Sequence, residues 1–163
     1  MTADADDEPV TGTFLVTAVD EESALLRDVE TARVHPLATH PDLEVHEVVV
    51  ATLEPVGPIG AVWEIAALET RRTVEMVDSD LSPTTDVRER AAALDPGDVE
   101  RIERAGTGEI HAIALGPESV DAAAEDVLDD EETIARAARL DAVRVEIRRD
   151  PAAGLLSIRY LPD

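Results

Sequence analysis

Residues 143–161 alternate so strictly that they leave little choice of fold. Val143, Val145 and Ile147 are separated by Arg144, Glu146 and Arg148, and Leu156, Ile158 and Tyr160 by Ser157 and Arg159. A period of two marks a strand with one buried face. Pro151-Ala152-Ala153-Gly154 lies between the two runs. Proline presets φ and opens a turn, and glycine closes it because it accepts a positive φ. A loop of those residues places Ile147 opposite Ile158 and Val145 opposite Tyr160. A loop one residue longer would set Ile147 against Ser157, so the apolar face selects the shorter one. The hairpin's other face then carries Arg144, Arg148 and Arg159, with Glu146 facing Arg159.

Upstream, 109–115 reads as a strand and 117–140 as helical, with apolar stripes at Val120, Ala124, Val127 and Leu128 and at Ile134, Ala135, Ala138 and Leu140. The spacing slips at Asp129-Asp130-Glu131-Glu132. Asp129 followed by Glu132 has capping-box spacing, so a bend or a second helix is expected there. Strand, crossover helix and strand form a βαβ unit, so 109–115 and 143–149 are expected to be parallel. The last third is thus a βαββ unit over 109–161.

Residues 12–78 are β-rich. Strands are expected over 13–19, 24–29, 33–37, 43–53, 62–68 and 72–77, with turns at 20–23, 30–32 and Glu69-Thr70-Arg71. Short strands with a turn every few residues and apolar positions on both faces suggest a small barrel-like or strongly bent antiparallel sheet. Residues 1–11 are expected to be a disordered acidic tail and 79–86 a linker. Helices follow over 86–105, the second opened by Asp95-Pro96 as N-cap and N1 and ended by Gly106-Thr107-Gly108. The fold class is α+β, a β-rich half (12–78) followed by an α/β half (87–163).

Charge narrows the setting. Acidic residues number 37, all 14 basic residues are arginine, and the formal net charge is -23 over 163 residues. In dilute buffer such a charge repels itself and weakens the compact state. At ~1 M salt the Debye length falls to ~3 Å and the repulsion is screened. The composition therefore fits a cytoplasm rich in salt, with salt ions keeping the carboxylate surface soluble. Dialysis into low salt should unfold the protein. A thermal transition that stays the same between ~0.1 M and ~3 M KCl would contradict that expectation. There is no cysteine, which removes disulfides, zinc–thiolate sites and thiol chemistry. No apolar run approaches the ~20 residues of a membrane-spanning helix, and no signal h-region is visible, so a cytoplasmic protein is expected.

Several short segments carry a resemblance. They are Glu103-Arg104-Ala105-Gly106, Gly108-Glu109-Ile110-His111, Asp126-Val127-Leu128-Asp129-Asp130, Ala137-Ala138-Arg139-Leu140 and Arg159-Tyr160-Leu161-Pro162. Phe14-Leu15-Val16-Thr17, Thr52-Leu53-Glu54-Pro55 and Trp63 add to them in the first half. Together they resemble an uncharacterised family of small acidic haloarchaeal proteins, a domain of unknown function. The resemblance implies a halophilic archaeal source and supplies no reaction or ligand.

Four groups of residues could carry chemistry. His35, His40 and His46, with Asp42 and Glu44, have metal-binding atoms, but histidines before prolines in a loop are poorly held, and solvent-facing side chains are the simpler expectation. Arg144, Arg148 and Arg159 form a positive patch suited to phosphate or carboxylate, or an ion-pair network with Glu146 and neighbouring carboxylates. His111 could act as a general base in a hydrolase, yet no partner is identifiable by spacing. Trp63 could stack a ligand or anchor the core. No cofactor fingerprint is present, and Gly106-Thr107-Gly108 lacks the spacing and the lysine of a phosphate loop. The expectation is a non-catalytic binding or adaptor protein with a protein or RNA partner. An RNA- or nucleotide-associated protein using the barrel and the arginine face comes next, and a small hydrolase centred on His111 last.

Overall fold

The computed structural model describes residues 8–57, 61–103 and 108–162. The chain divides into two compact units, one of residues 1–74 with 134–139, the other of 75–133 with 140–163. The fold is mixed α+β, with two sheets.

The sheet of the first unit is a ring of β1 (Val10–Val19), β2 (Ala24–Asp28), β3 (Val34–Leu37), β4 (Glu47–Val56) and β5 (Val62–Thr73), in the order β1-β2-β3-β5-β4. The β1–β2 hairpin turns where the sequence expects, closed by Asp20 N–H donating to Ser23 O at 2.8 Å. The next turn is held by Asp28, whose Oδ1 accepts from the N–H groups of Glu30 and Thr31 at 2.8 and 3.1 Å, an Asx turn. Phe14, Val16, Leu26, Leu37, Val49, Leu53 and Trp63 fill the ring.

Three expectations are corrected here. β1 begins at Val10, so residues 10 and 11 belong to a strand and not to a tail; residues 1–7 lie outside the described residues. Val45 precedes β4 and is exposed, so the long strand starts later than the apolar run. β5 runs straight through Glu69-Thr70-Arg71, with Thr70 paired to Val50 and Arg71 to Val49. Two irregularities in the β4–β5 register let a long, mostly solvent-facing strand curl around the ring without a turn.

The second unit carries the sheet β6-β9-β10-β8-β7, of β6 (Glu75–Asp78), β7 (Val99–Glu103), β8 (Glu109–Ala114), β9 (Arg144–Asp150) and β10 (Leu155–Leu161). β6, expected as the last strand of the first half, pairs here with β9. The β9–β10 register sets Ile147 against Ile158, Val145 against Tyr160 and Glu146 against Arg159, the shorter-loop solution. Gly154, at φ 65°, closes the turn, and a Cβ there would meet Leu115 O at 2.3 Å. β8 and β9 have the same sense, because both are antiparallel to β10. They are parallel as expected but not neighbours, because β10 lies between them.

The second helix expected within 86–105 is a strand. α1 (Thr85–Ala91) stops early, and Asp95-Pro96-Gly97-Asp98 is a turn closed by Asp98 N–H to Asp95 O at 3.0 Å. Gly97 sits at φ 96°, which no right-handed helix allows. Its N–H donates to Ala114 O and Ala114 N–H donates to Asp98 O, which starts the β7–β8 ladder. The expected glycine C-cap falls mostly on residues 104–107, outside the described residues. The helical segment does break in two, into α2 (Val120–Leu128) and α3 (Glu131–Arg139). The cap is Asp130 rather than Asp129: its Oδ2 accepts from Thr133 N–H at 3.0 Å and Thr133 Oγ1 at 2.7 Å. No helix among the described residues is long and apolar enough to cross a membrane.

Candidate functional site

The ring closes on itself through one bridge. β3 and β5 are parallel and pair only at Leu37 and Trp63, with Ala38 N–H donating to Trp63 O at 3.1 Å. Pro36 has no N–H to lengthen this ladder. After Ala38 the chain leaves β5 and arches through Thr39, His40 and Pro41. β5 continues through Glu64, Ile65, Ala66, Ala67 and Leu68, paired to β4 on one side and, among the described residues, to no strand on the other. Between strand edge and arch lies a slot of about 460 Å³, lined by Thr39, His40 and Pro41 on one wall and 64–68 on the other.

Both ends of the arch are pinned. The Ala38–Trp63 bond fixes the first. Arg71 fixes the second: Nε and Nη2 donate to Glu47 Oε1 and Oε2 at 2.6 and 3.0 Å, while Nη1 and Nη2 reach Pro41 O and Asp42 O at 3.0 and 3.1 Å. One planar fork thus joins β4, β5 and the arch, a geometry that lysine cannot reproduce. The hydrogen bond from Arg71 holds the Glu47 carboxyl below the usual carboxylate range, and Glu47 raises Arg71 in turn. His40 braces the middle. Its Nδ1 accepts from Leu43 N–H at 3.0 Å, so Nε2 carries the hydrogen and donates to Asp20 O at 2.7 Å. Asp42 and His46 take positive φ values of 54° and 74°; such backbone persists only where the surroundings over-determine it.

The residues singled out from sequence fall elsewhere. His35, His40 and His46 do not converge. Among the described residues no group of three or more His, Cys, Asp or Glu side chains could hold a metal ion. His35 is not solvent-facing, as expected of a loop residue. It lies in β3, 1% exposed, with its ring edge-on to Phe14 (5.5 Å) and Trp63 (4.8 Å). Neither ring nitrogen makes a hydrogen bond of normal geometry. Burial, then the Arg33 charge, pushes its pKa below the ordinary value, partly offset by Asp28 and the Arg33 main chain. Trp63 is 2% exposed and has no open face for a stacked ligand.

The arginine face exists, but it is engaged. Arg148 pairs with Glu146, Arg159 Nε lies 3.7 Å from Glu146 Oε1, and Arg144 pairs with Glu75 at 3.2 Å. Next to them Arg88 meets Asp150 at 2.8 Å. Arg149, on the opposite face, bridges Asp78 and Asp121 and is raised by them. His111 does have a carboxylate neighbour: Glu109 Oε1 lies 3.8 Å from its Nε2 and takes Arg101 at 2.8 Å, while Tyr160 packs against the imidazole at 5.2 Å. The signal for Glu109 was its place two residues earlier on the same strand face. Arg71, Glu47 and the slot had no local signal, because they are brought together by ring closure.

Comparison with known families matches residues 10–149 to DUF5812, a family of unknown function. The chain belongs to DUF5812. The match spans the whole ring and stops before β10 of the second sheet. No curated protein matches this DUF5812 chain, and no solved structure matches it.

Proposed function

We propose that this DUF5812 protein is a non-catalytic binding or adaptor protein that holds part of a partner in the slot beside β5, in the cytoplasm of a salt-loving archaeon. The observation that carries this reading is the edge of β5, exposed at Ala66 and Ala67 and kept apart from its neighbouring arch by pins at both ends. A pinned wall costs little ordering when a ligand enters. The arginine face speaks less strongly, since Arg148 and Arg159 already meet Glu146 and Arg144 meets Glu75. His111 has Glu109 beside it and Tyr160 packed on its ring, whereas hydrolysis also needs a positioned nucleophile.

The test is a photo-crosslinking side chain at Ala66, compared with one at Ala122, an exposed α2 position. Irradiated in a lysate at ~3 M KCl, Ala66 should give a discrete adduct with a polypeptide, identified by mass, that Ala122 does not give. No adduct above the Ala122 control removes the slot as the binding site. A nucleic-acid adduct turns the reading to RNA.

A further inference from the structure

A strand edge has its own chemistry. Its N–H and C=O groups alternate along a line and are satisfied together only by another extended backbone. β5 offers such an edge over 64–68, and it borders the open slot. The register slips at Ala66, a bulge, and bulges re-aim a strand where it meets something else. Ala66 and Ala67 present only methyl groups, which allow a second backbone to approach. Ile65 and Leu68 line the same wall and are partly buried against the ring core.

A second observation concerns charge. Glu54 and Glu64 face each other directly in the β4–β5 ladder, and both are exposed. Like charges directly opposite each other are destabilising. Neither has an ion-pair partner among the described residues. Glu64 lines the slot, so an entering chain meets its unpaired carboxylate, with Glu54 next to it across the ladder.

We infer that the occupant of the slot is an extended segment of a partner polypeptide, which adds to the free edge of β5 as a further strand and sets a lysine or arginine against Glu54 and Glu64. This rests on the slot reading above and adds the partner's chemistry. Main-chain hydrogen bonds supply affinity, and the acidic pair selects the side chain beside the bulge. Molar salt screens distant attraction, while a close pair at the slot wall is screened less.

The experiment uses the whole protein and fluorescence anisotropy in ~2 M KCl. The probes are a short peptide of alternating valine and threonine with one central arginine, the same peptide with glutamate there, and the arginine peptide N-methylated at alternate residues. The arginine peptide should bind. N-methylation should weaken it at least ~tenfold, since each lost ladder bond strands a carbonyl. Glutamate should weaken it about fivefold. The double variant Glu54→Gln/Glu64→Gln should lose the preference for arginine and keep the sensitivity to N-methylation. Both positions are exposed, so folding is retained. Binding indifferent to N-methylation overturns strand addition. Failure of the arginine peptide while Ala66 still crosslinks a polypeptide overturns the inference and leaves the slot. Failure of both removes both. An adduct of twice the chain mass assigns the slot to a second copy and overturns the foreign partner.

Discussion

Arg71→Ala should destabilise the protein by about 2 kcal/mol, because it strands the Glu47 carboxylate. Glu47 is nearly buried, and without the guanidinium it keeps only the Glu44 N–H, at 2.9 Å. Arg71 itself is 36% exposed, so the Coulombic share of the loss is screened and the stranded acid dominates. The arch loses its far pin in the same step, since Pro41 O and Asp42 O both lose their donor. Ligand binding in the slot should therefore weaken by about tenfold, the equivalent of one further ordering cost of ~1.4 kcal/mol. Arg71→Lys should recover part of the stability but little of the binding, because a single ammonium cannot meet a carboxylate and two carbonyls in one plane. Urea melts and anisotropy on the three proteins separate the two effects. Equal slot affinity in wild type and Arg71→Ala would show that the arch needs no such pin. Glu47 also sets an acid limit. Its folded pKa lies below the ordinary 4.5, so its share of stability is complete above that value and is lost as pH falls through the folded one.

His35 should govern the window above that limit. Its folded pKa lies below the ordinary 6.5, so the folded protein keeps the ring neutral where the unfolded chain takes up a proton. Above about 6.5 both states are neutral and nothing depends on this residue. As pH falls below it, the unfolded state binds the extra proton and stability declines, by at most ~1.4 kcal/mol per pH unit, until the folded ring also titrates. The groups that bear on the ring are Arg33, which opposes the proton, and Asp28, which favours it. His35→Leu should remove this slope and raise stability near neutral pH by about 1 kcal/mol, because it deletes two poorly bonded ring nitrogens from the core. Chemical denaturation at high KCl, from neutral pH down to the Glu47 window, reads both outcomes. An unchanged slope in His35→Leu would place the titration elsewhere.

Local pattern made some of this legible and not the rest. The β9–β10 hairpin was readable to the residue, because alternation and a Pro–Gly turn allow one register. β7 was not. Asp95-Pro96 imitates a helix start, and Val99 and Ile102 stand three apart, as on a helix face. What decides against the helix is Gly97 in a left-handed conformation and a ladder with β8, a segment well downstream. The break between α2 and α3 was legible, and its cap was off by one residue, because neighbouring aspartates offer the same chemistry. Glu69-Thr70-Arg71 reads as a turn because its residues are polar, whereas in the fold they belong to β5 on the outside of the ring. His35 shares its side of β3 with Leu37, so alternation pointed inward; the proline after it pointed to a loop and obscured that signal. The slot was out of reach of any local reading, since it exists only where β3 and β5 part.

The position of β10 has a consequence for how the protein is made. It is the central strand of the second sheet, and β8 and β9 both hydrogen-bond to it and not to each other. It is also the last of the five to emerge from the ribosome. Until it does, β8 and β9 wait with unpaired edges while the ring, whose strands all precede them, is free to close. Assembly of that sheet thus waits for β10, and until then its open edges are exposed to chaperones and to neighbouring nascent chains.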